Sequence, residues 1–197
     1  MILSDGYFEV PAGKIASVVT SLAMTAPPLR RPDPPSTPWR LDRVEQPDPD
    51  GYRALFRSVG TEWLWFSRLK LSDAALLAIL RDTGVEIYRV LSAEDEGGLL
   101  ELDFRERGQC ELSYFGLVPG LIGGGAGRWL MNRALDIVWA RAISRFWVHS
   151  CSLDHPAALS FYIRSGFRPF RRQIEIADDP RLTGLIAPGA AAQIPVL

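Results

Sequence analysis

The sequence predicts an α/β fold. The chain would form a single domain over residues 1–197, whose central sheet is mixed but mostly antiparallel. Three observations support this prediction: strand-like apolar runs separated by turns, amphipathic helical segments between them, and an ordinary globular composition. The chain has 197 residues, of which 47% are hydrophobic and 23% charged, enough to bury one core without disulfide bonds. We expect about six to seven strands with helices on both faces of the sheet.

The N-terminal quarter is the least regular part of the sequence. Residues 13–24 carry apolar side chains at helical spacing, which predicts a helix. Residues 26–50 are rich in proline and cannot form a long helix. They could be a linker that separates residues 1–25 from the rest. We favour one domain, in which residues 39–45 form the first strand.

Two capped helices are predicted next. Asp48 or Asp50 can cap a helix that begins near Tyr52 and stops at Gly60, and Ser72 can cap a second helix over residues 73–84. Short polar side chains at these positions accept hydrogen bonds from the first free amides of a helix. Both helices therefore have defined starts.

A meander of three strands follows, predicted over residues 85–91, 99–104 and 111–118. The turn sequences DEGG at 95–98 and ERGQ at 106–109 divide them. Short turns of this kind join neighbouring antiparallel strands.

The C-terminal part alternates between helix and strand. We predict a helix over 128–142, a strand over 144–151, a short helix over 156–165 and a last strand over 167–176. Asp154 is in position to cap the short helix.

Charge and cysteine content exclude several classes of function. The net charge is −1 with scattered basic residues, so nothing indicates nucleic-acid binding. Cys110 and Cys151 are too few for a disulfide framework and lack metal-ligand spacing. No apolar run approaches the ~18 residues that a membrane span requires, and residues 1–10 lack the basic start of a signal peptide. We expect a cytoplasmic protein that binds no metal.

The most informative segment is VPGLIGGGAGR at 118–128, which joins an apolar strand to an amphipathic helix. Glycine lets an anion approach backbone amides, and the helix N-terminus adds about half a positive charge there. No Lys-Ser/Thr pair follows, so this is not a Walker loop. A meander rather than a βαβ unit precedes it, which argues against a dinucleotide fold.

The order of strand, glycine loop, helix, strand and short helix resembles the GNAT superfamily of acyl-CoA-dependent N-acyltransferases. The resemblance covers about residues 37–176 and includes two motifs. The first, Q/R-x-x-G-x-G/A, reads here as Ile122, Gly125 and Gly127. The second, N-x-x-A-x-x-x-Y-x-x-x-G-F, reads as His155, Ala158, Tyr162, Gly166 and Phe167.

This resemblance implies an acetyltransferase that uses acetyl-CoA as co-substrate and a small-molecule or peptide amine as acceptor. Ile122 stands where the family has arginine or glutamine, so one side-chain contact to the pyrophosphate is missing, and Arg128 can restore the charge. His155 stands where the family has asparagine. The implied cofactor-binding residues are Leu117, Val118, Gly123, Gly124, Gly125, Ala126, Gly127, Arg128 and His155.

The resemblance also implies the catalytic groups. Tyr162 aligns with the tyrosine that protonates the departing thiolate. Glu111 is the first candidate for the base, with His149 second, and a water chain could serve instead of a directly placed base. A regular strand would place four side chains on one face: Glu111, Ser113, Phe115 and Leu117.

Two alternatives stay open at this point. The domain could be a catalytically silent acyl-CoA-binding module rather than an enzyme. Trp63, Trp65 and Phe66 could close the first helix onto the sheet or form the wall of an acceptor pocket. The sequence is compatible with a homodimer.

Overall fold

The computed structural model of the protein describes residues 4–92 and 96–197. Within them, seven strands and four α-helices follow one another along the chain. The elements are β1 (Lys14–Met24), β2 (Arg40–Arg43), α1 (Pro49–Gly60), α2 (Asp73–Leu80), β3 (Val85–Leu91), β4 (Glu96–Asp103), β5 (Gln109–Leu117), α3 (Ala126–Trp139), β6 (Arg145–Cys151), α4 (Ala158–Arg164) and β7 (Arg168–Asp178).

All seven strands belong to one sheet, in the order β2-β3-β4-β5-β6-β1-β7. Neighbouring strands are antiparallel except β5 and β6, which run parallel. The predicted mixed, mostly antiparallel sheet is therefore confirmed. In the described ranges, no helix is both long enough and apolar enough to span a lipid bilayer.

Helices cover both faces of this sheet, as predicted. On one face, α3 and α4 pack on a core that includes Leu130, Phe146 and Tyr162. On the other face, α1 and α2 pack on a second core that includes Phe56 and Leu76. Burial of these apolar side chains, at roughly 25 cal/mol per Å², is the main force that holds the layers together.

The predicted helix over residues 13–24 is wrong, because this segment forms strand β1. Its β-branched residues favour an extended chain, and both of its edges are paired, with β6 on one side and β7 on the other. Ile15 faces the core under α1 and α2, whereas Leu22 faces the core under α3. Tertiary pairing overrides the helical spacing of the apolar residues.

The caps and turns agree with the sequence where the structure describes them. The Asp48 carboxylate accepts a hydrogen bond from the Gly51 amide at 2.9 Å, and the Ser72 hydroxyl accepts one from the Ala75 amide at 3.3 Å. Helix α2 ends at Leu80, earlier than predicted. The turn at 106–109 joins β4 to β5, and the predicted turn at 95–98 lies partly outside the described residues.

Strand β5 contains a β-bulge that changes which side chains share a face. Leu112 pairs with Leu102 and Tyr114 pairs with Glu101, so Ser113 is an extra residue without a partner on β4. The predicted common face of Glu111, Ser113, Phe115 and Leu117 is therefore wrong. Phe115 and Leu117 join the core under α3, while Glu111 lies on the opposite face and contacts His149.

The proline-rich segment between β1 and β2 is held against α3. The buried Asn132 amide of α3 donates to the Arg31 carbonyl at 2.9 Å and to the Asp33 carboxylate at 2.7 Å. Arg133 adds an ion pair to Asp33 at 3.0 Å. The hydrogen bond from Asn132 lowers the pKa of Asp33. This anchoring brings the segment beside the glycine loop.

Candidate active site

A cavity opens where β5 and β6 separate. The two strands pair only over three residues, from Gln109 with Arg145 to Glu111 with Trp147. Both strands continue beyond that point, and the space between them is a cavity of about 940 Å³. Its walls include Leu112–Leu117 from β5 and Val148 and His149 from β6.

The glycine loop forms one end of the cavity. Gly123 and Gly125 have φ values of +91° and +93°, a conformation that favours glycine. A Cβ atom at Gly123 or Gly124 would meet nothing within 4 Å, so the space in front of the loop is open. The first helical bond of α3 runs from the Trp129 amide to the Gly125 carbonyl. The backbone amides before Trp129, in the glycine loop and the first turn of α3, therefore have no carbonyl within the helix to bond.

Three arginines lie around this end of the cavity. Arg128 follows the glycine loop, Arg31 comes from the proline-rich segment, and Arg164 ends helix α4. The Arg128 Nε is buried and has no hydrogen-bond partner among the described residues. An orphaned guanidinium nitrogen beside open glycine amides fits a polyanionic ligand such as the diphosphate of coenzyme A. Arg31 is not among the predicted site residues, because its segment carries no motif.

Tyr162 is the buried aromatic residue of helix α4. Its ring packs edge-on against Phe115 and Phe167, and it lines the cavity. In the described ranges, its hydroxyl makes no hydrogen bond with the protein. Burial raises the pKa of Tyr162 well above its ordinary value, so the hydroxyl keeps its proton in neutral solution.

His149 and Glu111 form a hydrogen-bonded pair at the other end. The His149 Nδ1 lies 3.2 Å from the Glu111 carboxylate. This hydrogen bond raises the pKa of His149 above its usual 6.5. His149 lines the cavity, but Glu111 is behind it and does not. The carboxylate is therefore placed to orient the imidazole.

Asp154 does not cap α4, and the prediction that it does is wrong. Its carboxylate accepts hydrogen bonds from the Cys151 amide at 2.8 Å, the Ser150 hydroxyl at 2.9 Å and the Trp65 indole at 3.3 Å. The carboxylate therefore ties the end of β6 to the aromatic cluster. Helix α4 begins one turn later, without a side-chain cap.

The aromatic cluster of Trp63, Trp65 and Phe66 lines the cavity. Trp65 also packs on Phe56 with ring centroids 5.5 Å apart. Its ring lies so close to β5 that a Cβ at Gly116 would come within 3.0 Å of it. The cluster thus packs the first helix onto the sheet and also lines the cavity. The two alternatives from the sequence, a packing role and a pocket wall, are therefore compatible.

His155 contacts the aromatic cluster through Trp63. Its ring lies edge-on to Trp63 at 5.1 Å, and its Nδ1 accepts a hydrogen bond from the Ala157 amide at 3.0 Å. His155 therefore occupies the approach to α4 and joins it to the aromatic cluster.

Most of the predicted binding residues meet in this one cavity. They are Leu117, Gly123, Gly124, Gly125, Gly127, Arg128 and His155. Two lie just outside its lining. Ala126 is fully buried at the start of α3. The Val118 amide donates to the Gly97 carbonyl at 3.0 Å, so it is not available to a ligand.

Comparison with known proteins shows similarity in structure only. No family model and no curated protein sequence matches the chain. A GCN5-related N-acetyltransferase from Sphaerobacter thermophilus aligns over 83% of this chain with a TM-score of 0.62 and 12% identity. A GNAT-family acetyltransferase from Novosphingobium aromaticivorans aligns over 85% with a TM-score of 0.56 and 16% identity.

The third similar structure is the ribosomal-protein-S18-alanine N-acetyltransferase of Escherichia coli. It aligns over 70% of this chain with a TM-score of 0.54 and 13% identity. The chain spans 90% of that protein but only 52% and 67% of the other two. The family resemblance predicted from the two motifs is thus confirmed as a likeness of fold: the chain has the fold of the GNAT N-acetyltransferases.

Proposed function

We propose that the protein transfers an acetyl group from acetyl-CoA to a primary amine of a small molecule or peptide. The observation that carries this proposal is a single cavity with an amide-lined anion site at one end and a histidine–carboxylate pair at the other. Tyr162 lines the same cavity. Direct transfer to an amine requires a bound acyl donor, a proton acceptor for the amine and a proton donor for the departing thiolate.

Binding of acetyl-CoA would begin with its diphosphate on the amides of the glycine loop. Arg128, Arg31 and Arg164 would neutralise its phosphates, because each lies at this end of the cavity. The pantetheine arm would then run along β5 past Gly116 and Leu117, where the parallel partner strand has separated. These backbone contacts to the diphosphate do not involve the side chain of Ile122. Because Ile122 is apolar, the positive charge that faces the phosphates would come from the three arginines.

The chemistry would then proceed by direct attack. The amine nitrogen attacks the thioester carbonyl, His149 takes the proton that the amine loses, and the carbon–sulfur bond breaks. Tyr162 donates its proton to the departing sulfur. Because burial keeps the phenol protonated, the donor is ready before the bond breaks. A water molecule between His149 and the amine would serve equally well.

Glu111 would act through His149 as a positioning residue. The carboxylate holds Nδ1 and raises the pKa of the imidazole, so His149 becomes a neutral base only as the pH rises above 6.5. The acidic limb of the rate profile should therefore lie above pH 6.5.

Glu111→Gln tests this role through the pH profile. Losing the negative charge lowers the pKa of His149, so the acidic limb of kcat should move to lower pH. The plateau should fall by about tenfold or more, because the ring loses its orientation. Glu106→Gln is the matched control, since Glu106 bonds Gln109 outside the cavity. An unchanged limb in Glu111→Gln would remove the pair from the mechanism.

Arg31→Ala tests the contribution of the proline-rich segment. We expect the affinity for acetyl-CoA to fall by about 3- to 10-fold at low salt, and by less at high salt. Arg30→Ala is the matched control, because Arg30 pairs with Asp33 and Asp136 and does not line the cavity. Equal losses in both variants, measured by calorimetry, would contradict a direct contact from Arg31.

The proposed activity is tested by thiol release from acetyl-CoA with a panel of amines. The aromatic wall of Trp63, Trp65 and Phe66 favours amines that carry an apolar or aromatic portion, which should outrank purely polar ones. Acetyl-CoA binding without turnover on any amine would instead favour a silent acyl-CoA-binding domain. The apolar Ile122 in the loop is the observation that supports this second candidate.

A further inference from the structure

Strand β7 is an open edge of the sheet. It is last in the strand order, and nearly all of its residues are exposed on both faces. Three apolar side chains on the α3 side are about half exposed: Val18 at 45%, Ile174 at 54% and Ile176 at 55%. Exposed edges of this kind pair readily with another strand unless something blocks them.

The backbone of β7 offers hydrogen bonds outward. Val18 of β1 directs its amide and carbonyl to Ser152, on the side away from β7. Val18 lies opposite Ile174, so this is a pair whose backbone groups point away from each other. The amide and carbonyl of Ile174 therefore point to the open edge.

The sequence of β7 is complementary to itself in one antiparallel register. If two copies pair about Gln173, Arg171 of one copy lies opposite Glu175 of the other, twice by symmetry. Neither Arg171 nor Glu175 makes a hydrogen bond or ion pair with the described part of its own chain. Centring the pairing on Arg172 would oppose two arginines, and centring it on Glu175 would oppose two carboxylates.

We propose that the protein forms a two-fold symmetric dimer by antiparallel pairing of β7 with β7 of a second copy, centred on Gln173. The bulge at Phe170, which has no partner on β1, ends the regular pairing, and by the two-fold symmetry it does so at both ends. Within it, the two Ile174 side chains become diagonal neighbours on the α3 face. The dimer joins two sheets into one and covers the β7 edge of each copy, while the β2 edges stay at the two ends of the joined sheet.

The proposed β7–β7 pairing includes a residue that lines the cavity. Glu175 lines its outer end and shares a face of the sheet with His149, because Ser17 and Ser21 of β1 lie opposite these two residues. The partner's Arg171 would sit against this carboxylate. The second copy therefore contributes a charge to the rim of the acceptor end, without touching the glycine loop.

Charge reversal tests the proposed register. Sedimentation velocity over a range of concentrations should show a dimer for the native chain. Arg171→Glu and Glu175→Arg should each weaken it by on the order of 10- to 100-fold, because each opposes like charges at two sites. The double variant should restore the dimer, and a mixture of the two single variants should form a heterodimer. Arg172→Glu is the control, since Arg172 would lie opposite Ile174 and should not matter.

Restoration by the double variant separates the proposal from misfolding, because a misfolded chain would not be rescued by a second substitution on an exposed strand. A native chain that stays monomeric at all concentrations overturns the proposal. A dimer that survives both single reversals overturns it as well, since its interface must then lie elsewhere. Neither outcome bears on acetyl transfer, which is measured separately by thiol release.

Discussion

Tyr162→Phe is expected to lower kcat by about 10²- to 10³-fold while leaving the affinity for acetyl-CoA nearly unchanged. The hydroxyl is the group placed to protonate the departing sulfur, and the remaining ring keeps its packing against Phe115 and Phe167. Since the hydroxyl has no hydrogen-bond partner among the described residues, its removal should not lower the thermal stability. Steady-state kinetics and a thermal melt measure the two effects.

Tyr88→Phe is the matched control for this substitution. Tyr88 is a largely buried tyrosine in the same core, but its hydroxyl donates to Glu86 at 2.9 Å and it does not line the cavity. This variant should lose stability and keep its turnover. A large loss of acetyl-CoA affinity in Tyr162→Phe would instead identify its hydroxyl as a binding contact and leave the proton donor unassigned.

Gly124→Val is expected to weaken acetyl-CoA binding by on the order of 100-fold or more, because two or more amide–phosphate hydrogen bonds are lost. A Cβ at Gly124 meets nothing within 4 Å in the protein. The valine should therefore fold without strain and fill only the space that the diphosphate needs. Gly125 is a poorer choice, since its φ of +93° and the nearby Pro34 would distort the loop itself.

Gly120→Val is the matched control for the glycine loop. Gly120 also has open space around it, but it lies in the turn before the loop and does not line the cavity. We expect native affinity in this variant, measured by calorimetric titration. Native affinity in Gly124→Val would show that the diphosphate binds elsewhere.

The fold could be predicted largely from local patterns in the sequence. Asp48 and Ser72 mark helix starts because each precedes a run of apolar residues at helical spacing. A short polar side chain in that position commonly accepts a hydrogen bond from a free amide of the first helical turn. The strands of the meander are separated by short turns that leave few other pairings. Strand β1 could not be predicted in this way, because its partners β6 and β7 come more than a hundred residues later.

The part of the candidate site that a local sequence pattern identifies most directly is the glycine loop, because its backbone conformation depends on glycine. Tyr162 follows from the family resemblance, and the structure brings it into one cavity with the glycine loop. The predicted common face of Glu111 with Phe115 and Leu117 is wrong, because one extra residue at Ser113 reverses the faces of β5 beyond it. The positions of Asp154 and Arg31 in the cavity could not be predicted for a different reason: they are set by tertiary packing, which no local pattern encodes.

The central claim is that free backbone amides of the glycine loop bind the diphosphate of acetyl-CoA. The most direct measurement is a calorimetric titration of acetyl-CoA into the purified native protein. Saturable binding of one molecule per chain, weakened as salt increases, is the predicted result. No detectable binding in a correctly folded sample would contradict the account, whatever the fold resembles.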